Sequence, residues 1–256
     1  MTAATAPAAR GHYRFRHAAR MEWIKLRTLR SVRWALLLAL AGMIAIGIAA
    51  GFNTKNPHGD VTNNILAGGA LGSVVFAVLG VLVMTSEYSS GTIRSTLAAI
   101  PRRPLLLAAK ASVFGLVALA AGELVTVGDF LAGAAFVRAG VPRPELSQPD
   151  VLRAVLLSGA YLCLIGLIGL ALGAIIRHGA AAVAAILAVV FVVPLVGLAA
   201  TSAGKFLPEL IYANSLGATK PVAGFTLSPW AGLGLIAAYA AVLLIVSGWL
   251  LARRDA

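Results

Sequence analysis

VLRAVLLSGAYLCLIGLIGLALGAII, Val151–Ile176, decides the class of fold. Arg153 is its one charged side chain, close to its start. A helix rises 1.5 Å per residue, so about 20 mostly apolar residues cross the roughly 30 Å hydrocarbon core of a bilayer. Five further stretches meet the same test: 34–51, 65–85, 105–137, 180–200 and 229–251. Together they predict an all-α, polytopic membrane protein with six transmembrane helices. The whole chain agrees, with 60% hydrophobic residues, 12% charged residues and a mean hydropathy of +0.91. Soluble domains carry about a quarter of their residues as Asp, Glu, Lys or Arg.

Outward from this stretch, Arg177–Gly179 forms a very short turn into the fifth span, where Pro194 can kink the helix and release a carbonyl. Arg138–Asp150 reads as a loop from its prolines and charges. The third span, 105–137, is longer than one straight crossing, so tilt, a break or an extension beyond the bilayer is expected. Residues 201–228 form a long extracellular connection, in which KFLPELIYANSLGA suggests a short helix lying at the interface or dipping into it. Residues 1–19 are expected to be a disordered basic leader, and 20–256 a single six-span domain. Arg14–Trp34 lacks Pro and Gly and predicts an interfacial helix whose basic side chains sit near lipid headgroups. The first span follows basic residues without a small-residue cleavage site, as a retained signal anchor does.

Charge gives the spans a direction. Of the 21 Lys and Arg residues, fifteen fall on one side of the six spans and six on the other. Basic residues favour the cytoplasmic side, which predicts cytoplasmic N- and C-termini in a cell inner or plasma membrane. The formal charge of +12 is explained by this bias without a nucleic-acid partner. Cys163 is the only cysteine, so no disulfide or cysteine metal cluster can form within the chain. The four histidines are scattered and predict no metal site. No G-x-x-x-x-G-K-[ST] phosphate loop occurs, nor any H-E-x-x-H or G-x-S-x-G signature, so a non-catalytic subunit is expected.

The segment between the second and third spans carries the first concentration of polar chemistry. Glu87, Tyr88, Gly91, Thr92 and Arg94 spell E-Y-x-x-G-T-x-R, followed by Pro101, Arg102 and Arg103. Read alone, Glu87 would open a short helix with Arg94 two turns on, Gly91 would permit a bend and Pro101 would stop the helix. Such a block serves equally well as a docking element or as an interfacial helix whose charges set topology. With the basic leader, the LP…L segment, Ser228–Trp230 and Arg253–Asp255, the motif resembles the permease subunits of ABC-2 type transporters. The resemblance extends over roughly Arg20 to Asp255. It implies a dimer of such permeases, homomeric or heteromeric, driven by cytosolic ABC ATPase subunits that bind ATP and Mg. It also implies that residues 86–104 form the ATPase-coupling segment, with Glu87, Tyr88, Gly91, Thr92, Arg94, Pro101, Arg102 and Arg103 as its residues. The expected function is the membrane subunit of an ATP-driven exporter. The alternatives are an ATP-independent secondary transporter or channel, and a non-transport membrane scaffold or regulator.

Glu123 and Asp129 lie inside the third span. Ionised acids are costly there and commonly face a cavity or a partner, so both are candidates for a translocation path. Six residues of helix place them on different faces, which disfavours one paired-carboxylate site. The alternative for each is an internal hydrogen bond, more so for Asp129 near the outer end. Tyr161 is a lesser candidate, expected to serve packing. Gly166, Gly169 and Gly173 have the spacing for close helix contact, within the chain or between two chains.

Overall fold

The computed structural model describes residues 15–28, 30–55, 60–99, 102–193, 202–218 and 226–253. These form helices α1 (Phe15–Thr28), α2 (Arg30–Asn53), α3 (Val61–Ile65), α4 (Gly69–Ser89) and α5 (Thr92–Ala99). They continue with α6 (Arg103–Ala135), α7 (Pro149–Ile176), α8 (Gly179–Leu187), α9 (Pro208–Ser215) and α10 (Pro229–Arg253). Among the described residues, five helical segments are long and apolar enough to cross a bilayer: Val32–Asn53, Val61–Ser89, Arg103–Ala135, Pro149–Ile176 and Pro229–Arg253. The chain is thus an all-helical, multi-span membrane protein. Of the predicted fifth span, Gly179–Val192 is a shorter apolar helix, and residues 194–200, Pro194 included, lie outside the described residues. The leader before Phe15 lies outside them too.

Helix ends follow local chemistry. Asp60 caps α3 by accepting a hydrogen bond from Asn63 N at 3.0 Å. Proline stands in the first turn of α6, α7 and α9, where a missing N–H costs nothing. The third span has no break: α6 runs 33 residues, about 50 Å. The second span is one near-continuous helix interrupted only by a 3₁₀ turn at Leu66–Gly68. A π-helical turn, Ala188–Val192, follows α8.

Small residues set the helix directions. A Cβ on Gly80 would strike the Gly166 carbonyl, and one on Gly169 would strike that of Ala77. The backbones of α4 and α7 are thus in contact; Gly72 meets Leu162 and Gly173 meets Met84, so the two helices run parallel, and the glycine spacing of α7 is used within the chain. Gly47 meets Asp129 and Gly51 meets Gly133, which makes α2 and α6 parallel. Gly122 meets Gly159, and the Cys163 thiol donates to Gly115 O at 3.3 Å, so α6 and α7 are antiparallel. The starts of α6 and α8 and the ends of α4, α7 and α10 therefore share one end of the bundle with α1. Arg16, Arg20, Arg27, Lys110, Arg177 and Arg253 lie at this basic end.

Candidate functional site

At the basic end, four charged side chains close a ring. Lys110 Nζ donates to Glu22 Oε2 at 2.5 Å and to Glu87 Oε1 at 2.7 Å. Lys25 Nζ donates to Glu87 Oε1 at 2.8 Å and to Glu22 Oε1 at 3.2 Å. Glu22, Glu87 and Lys110 are 1%, 6% and 2% exposed, while Lys25 stays partly open to solvent. Burial pulls the Lys25 ammonium toward a lower pKa, but the hydrogen bond to Glu87 and the charges of Glu22 and Glu87 outweigh it and hold the pKa above the ordinary lysine value.

The ring joins three elements. Glu22 and Lys25 stand on α1, Glu87 in the last turn of α4, and Lys110 in the second turn of α6. Residue type explains why it forms here. Glu22 is the only acid on α1, and Lys110 is the only charge between Arg103 and Glu123. Each would be costly to bury alone, and each finds its counterion in the other. In the sequence, Lys25 and Lys110 are two of the fifteen basic residues that set the direction of the spans, and Glu22 belongs to no motif. A lone acid in a basic segment and a lone lysine in an apolar one were the available signals.

The other residues of the motif spread from this ring. Glu87 does not open a helix as its sequence position suggested; it closes α4. The chain then bends at Gly91, whose φ of +70° suits glycine, and α5 begins at Thr92. The Thr92 and Ser90 hydroxyls meet at 2.9 Å on the exposed bend. Tyr88 is half-buried, with the Arg177 guanidinium 5.6 Å from its ring centre. Arg94 lies on α5, its side chain outside what is described, and Pro101 lies outside the described residues. Arg102 is exposed, and Arg103 donates to Leu251 O of α10 at 3.2 Å. A cavity of about 410 Å³ opens beside the ring, with Ser86, Ser90 and Thr92 on its wall. The structure thus buries Glu87, half-buries Tyr88 and leaves Gly91, Thr92 and Arg102 exposed.

The embedded acids are arranged differently. Asp129 is fully buried between α6, α2 and the turn at Gly68. Among the described residues, neither of its carboxyl oxygens has a hydrogen-bond partner. Glu123 is half-buried on another face, packed against Gly159 of α7. The two acids therefore form no joint site. A third acid, Glu209 on α9, escaped the sequence reading. Its Oε2 accepts hydrogen bonds from Tyr161 at 3.0 Å and Ser73 at 3.3 Å. Tyr161 is thereby a polar partner as well as a packing residue, and it stacks on Tyr212 with ring centres 4.8 Å apart. Tyr161 and Ser73 each stand twelve residues inside their membrane-length helix, about 18 Å along it. The short helix expected in KFLPELIYANSLGA therefore exists as α9 and reaches between the spans. No ion pair to Glu123, Asp129 or Glu209 occurs among the described residues.

Comparison with protein-family models and with curated proteins finds no match to this chain.

Proposed function

We propose that this chain is the transmembrane permease subunit of an ATP-driven exporter, working beside a second permease subunit and separate cytosolic ATPase subunits. The observation that carries the reading is the buried ring around Glu87. It ties the residue that opens the E-Y-x-x-G-T-x-R motif to α1 and α6, directly before the bend that presents α5. A push on α5 would reach Glu87 through the bend at Gly91 and pass through the ring to two further helices. Buried charges paired with opposite charges suit such a lever, because they resist separation. The basic end would face the cytoplasm, following the charge bias, with both termini there and residues 201–228 outside. ATP and Mg would bind to the partner ATPase, and this chain would perform no covalent chemistry. The structural change would be a switch between inward and outward exposure, biased by nucleotide binding to the partner.

The test is co-purification with a cytosolic ABC ATPase subunit, followed by flux in proteoliposomes. Flux should stop when the ATPase's hydrolysis is disabled; flux that persists would sink the reading. Glu87→Gln should reduce coupled flux more than membrane insertion.

Asp129 favours a second reading, a stand-alone secondary transporter or channel. A buried acid without a partner inside a span is the kind of group that receives a proton or an ion. Ion-driven flux by the purified chain alone would select that reading.

A further inference from the structure

Helix α1 sorts its charges by face. Ala18, Glu22 and Leu26, four residues apart in turn, are buried against the bundle, and Ala18 packs beside Leu106 and Ala109 of α6. On the side turned away, Arg16, Arg20, Trp23 and Arg27 follow a spacing of four, three and four. At 100° per residue they fall on one stripe, and all four are exposed. The single acid points inward and three arginines surround a tryptophan outward.

We propose that this stripe binds the phosphate headgroups of anionic phospholipids, and that their occupancy holds α1 in the position that closes the ring of Glu22, Lys25, Glu87 and Lys110. Position and chemistry both select this occupant. The helix packs on the first two turns of α6 and is followed within a few residues by the membrane-length segment that starts at Val32. That is the level of the headgroups. Tryptophan among arginines is the composition of a helix lying in that layer, with the ring at the acyl boundary and the guanidinium groups on phosphate. An acidic protein surface would match the charge but gives no reason for the tryptophan. The two faces of α1 are then linked: headgroups hold the outer face, and the inner face delivers Glu22 to Lys110. The inference needs only the bilayer and the ring, and it stands whether or not the exporter reading does.

The experiment is hydrogen exchange of the full chain in bilayers of phosphatidylcholine alone and of phosphatidylcholine with phosphatidylglycerol. Amides of α1 should exchange more slowly in the anionic bilayer, by about fivefold for each arginine engaged. High salt should remove the difference, as screening requires. Arg16→Gln, Arg20→Gln and Arg27→Gln together should abolish it, while Arg143→Gln at the other end of the bundle should leave it intact. The salt series on the unaltered chain keeps the test decisive if the triple variant inserts poorly. Equal α1 exchange in the two bilayers would overturn the proposal. So would protection that ignores lipid charge and appears only when a soluble acidic partner is added.

Discussion

The two halves of the bundle bury acids by opposite means. At the basic end, Glu22 and Glu87 share two lysines, and the ring is closed by four hydrogen bonds. Toward the other end, Asp129, Glu123 and Glu209 have no cation among the described residues, and Asp129 lacks even a hydrogen-bond donor. Paired charges fix one arrangement, because separating them exposes each to an unfavourable medium. Acids without a counterion are held less firmly and leave room for a proton, an ion or a second conformation. The comparison assigns rigidity to the end that carries the motif and adaptability to the half that α9 enters.

The sharpest way to break this contrast is Lys110→Met. It leaves Glu22 and Glu87 facing each other with only the half-open Lys25 between them. Loss of one partner from a buried pair costs about 3–5 kcal/mol, and the midpoint of thermal unfolding in detergent should fall accordingly. Glu22→Gln combined with Lys110→Met should recover part of that loss. If Lys110→Met alone is neutral, the ring does not hold α1 to the bundle.

Tyr161→Phe probes the other half. It removes one of the two hydrogen bonds to Glu209 and keeps the stacking on Tyr212. A hydrogen bond to a charged group contributes about 1.5–3 kcal/mol and one to a neutral group about half that. A loss in this range would show that α9 is anchored through Glu209. Unchanged stability, together with unchanged proteolysis of residues 202–218, would show that α9 is held by apolar packing alone.

How much of this was legible beforehand depended on whether a signal was local. The five membrane-length helices are legible because apolar length alone specifies them, and Val151–Ile176 matches α7 to within two residues at its start. The motif was visible as a string, but its geometry was not. Glu87 closes α4 because the helix of the second span continues past its apolar run to Ser89 and brings Glu87 to a partner on α6, 23 residues on, and another on α1. No local rule couples Glu87 to Glu22 across 65 positions. The same holds for Glu209, whose partners lie on α4 and α7. Its local signal, Pro208 followed by an acid in a first turn, announces a helix start and says nothing of depth. The separate faces of Glu123 and Asp129 were legible, since they follow from helical geometry alone.

Lys25 offers a finer test inside the ring. It makes two of the four hydrogen bonds but keeps about a third of its side chain open to solvent. Screening and side-chain entropy reduce what such a pair contributes, so Lys25→Met should cost less than about 1 kcal/mol. The sign with pH follows from its raised pKa. Its pairing contributes fully below the unfolded lysine value and is lost as pH rises through the folded one. A titration of unfolding stability from neutral to mildly alkaline pH should therefore show no loss attributable to Lys25. A cost as large as that of Lys110→Met would mean that the exposed lysine, not the buried one, closes the ring.

Asp129→Asn should move stability least and discriminate most. Asparagine keeps the shape that Gly47 and Gly68 accommodate, and the carboxyl it replaces makes no hydrogen bond that could be lost. Without a partner in this conformation, the acid contributes little to holding α2 against α6, and the change in unfolding free energy should stay within about 1 kcal/mol. Flux is the informative readout. If Asp129 only fills space, the variant transports as the parent does at every pH. If it receives a proton or a cation in another conformation, the variant keeps its fold and loses the pH dependence of flux. A variant that unfolds would contradict both, because it would reveal a bond to Asp129 that holds the bundle together and would erase the contrast with the ring.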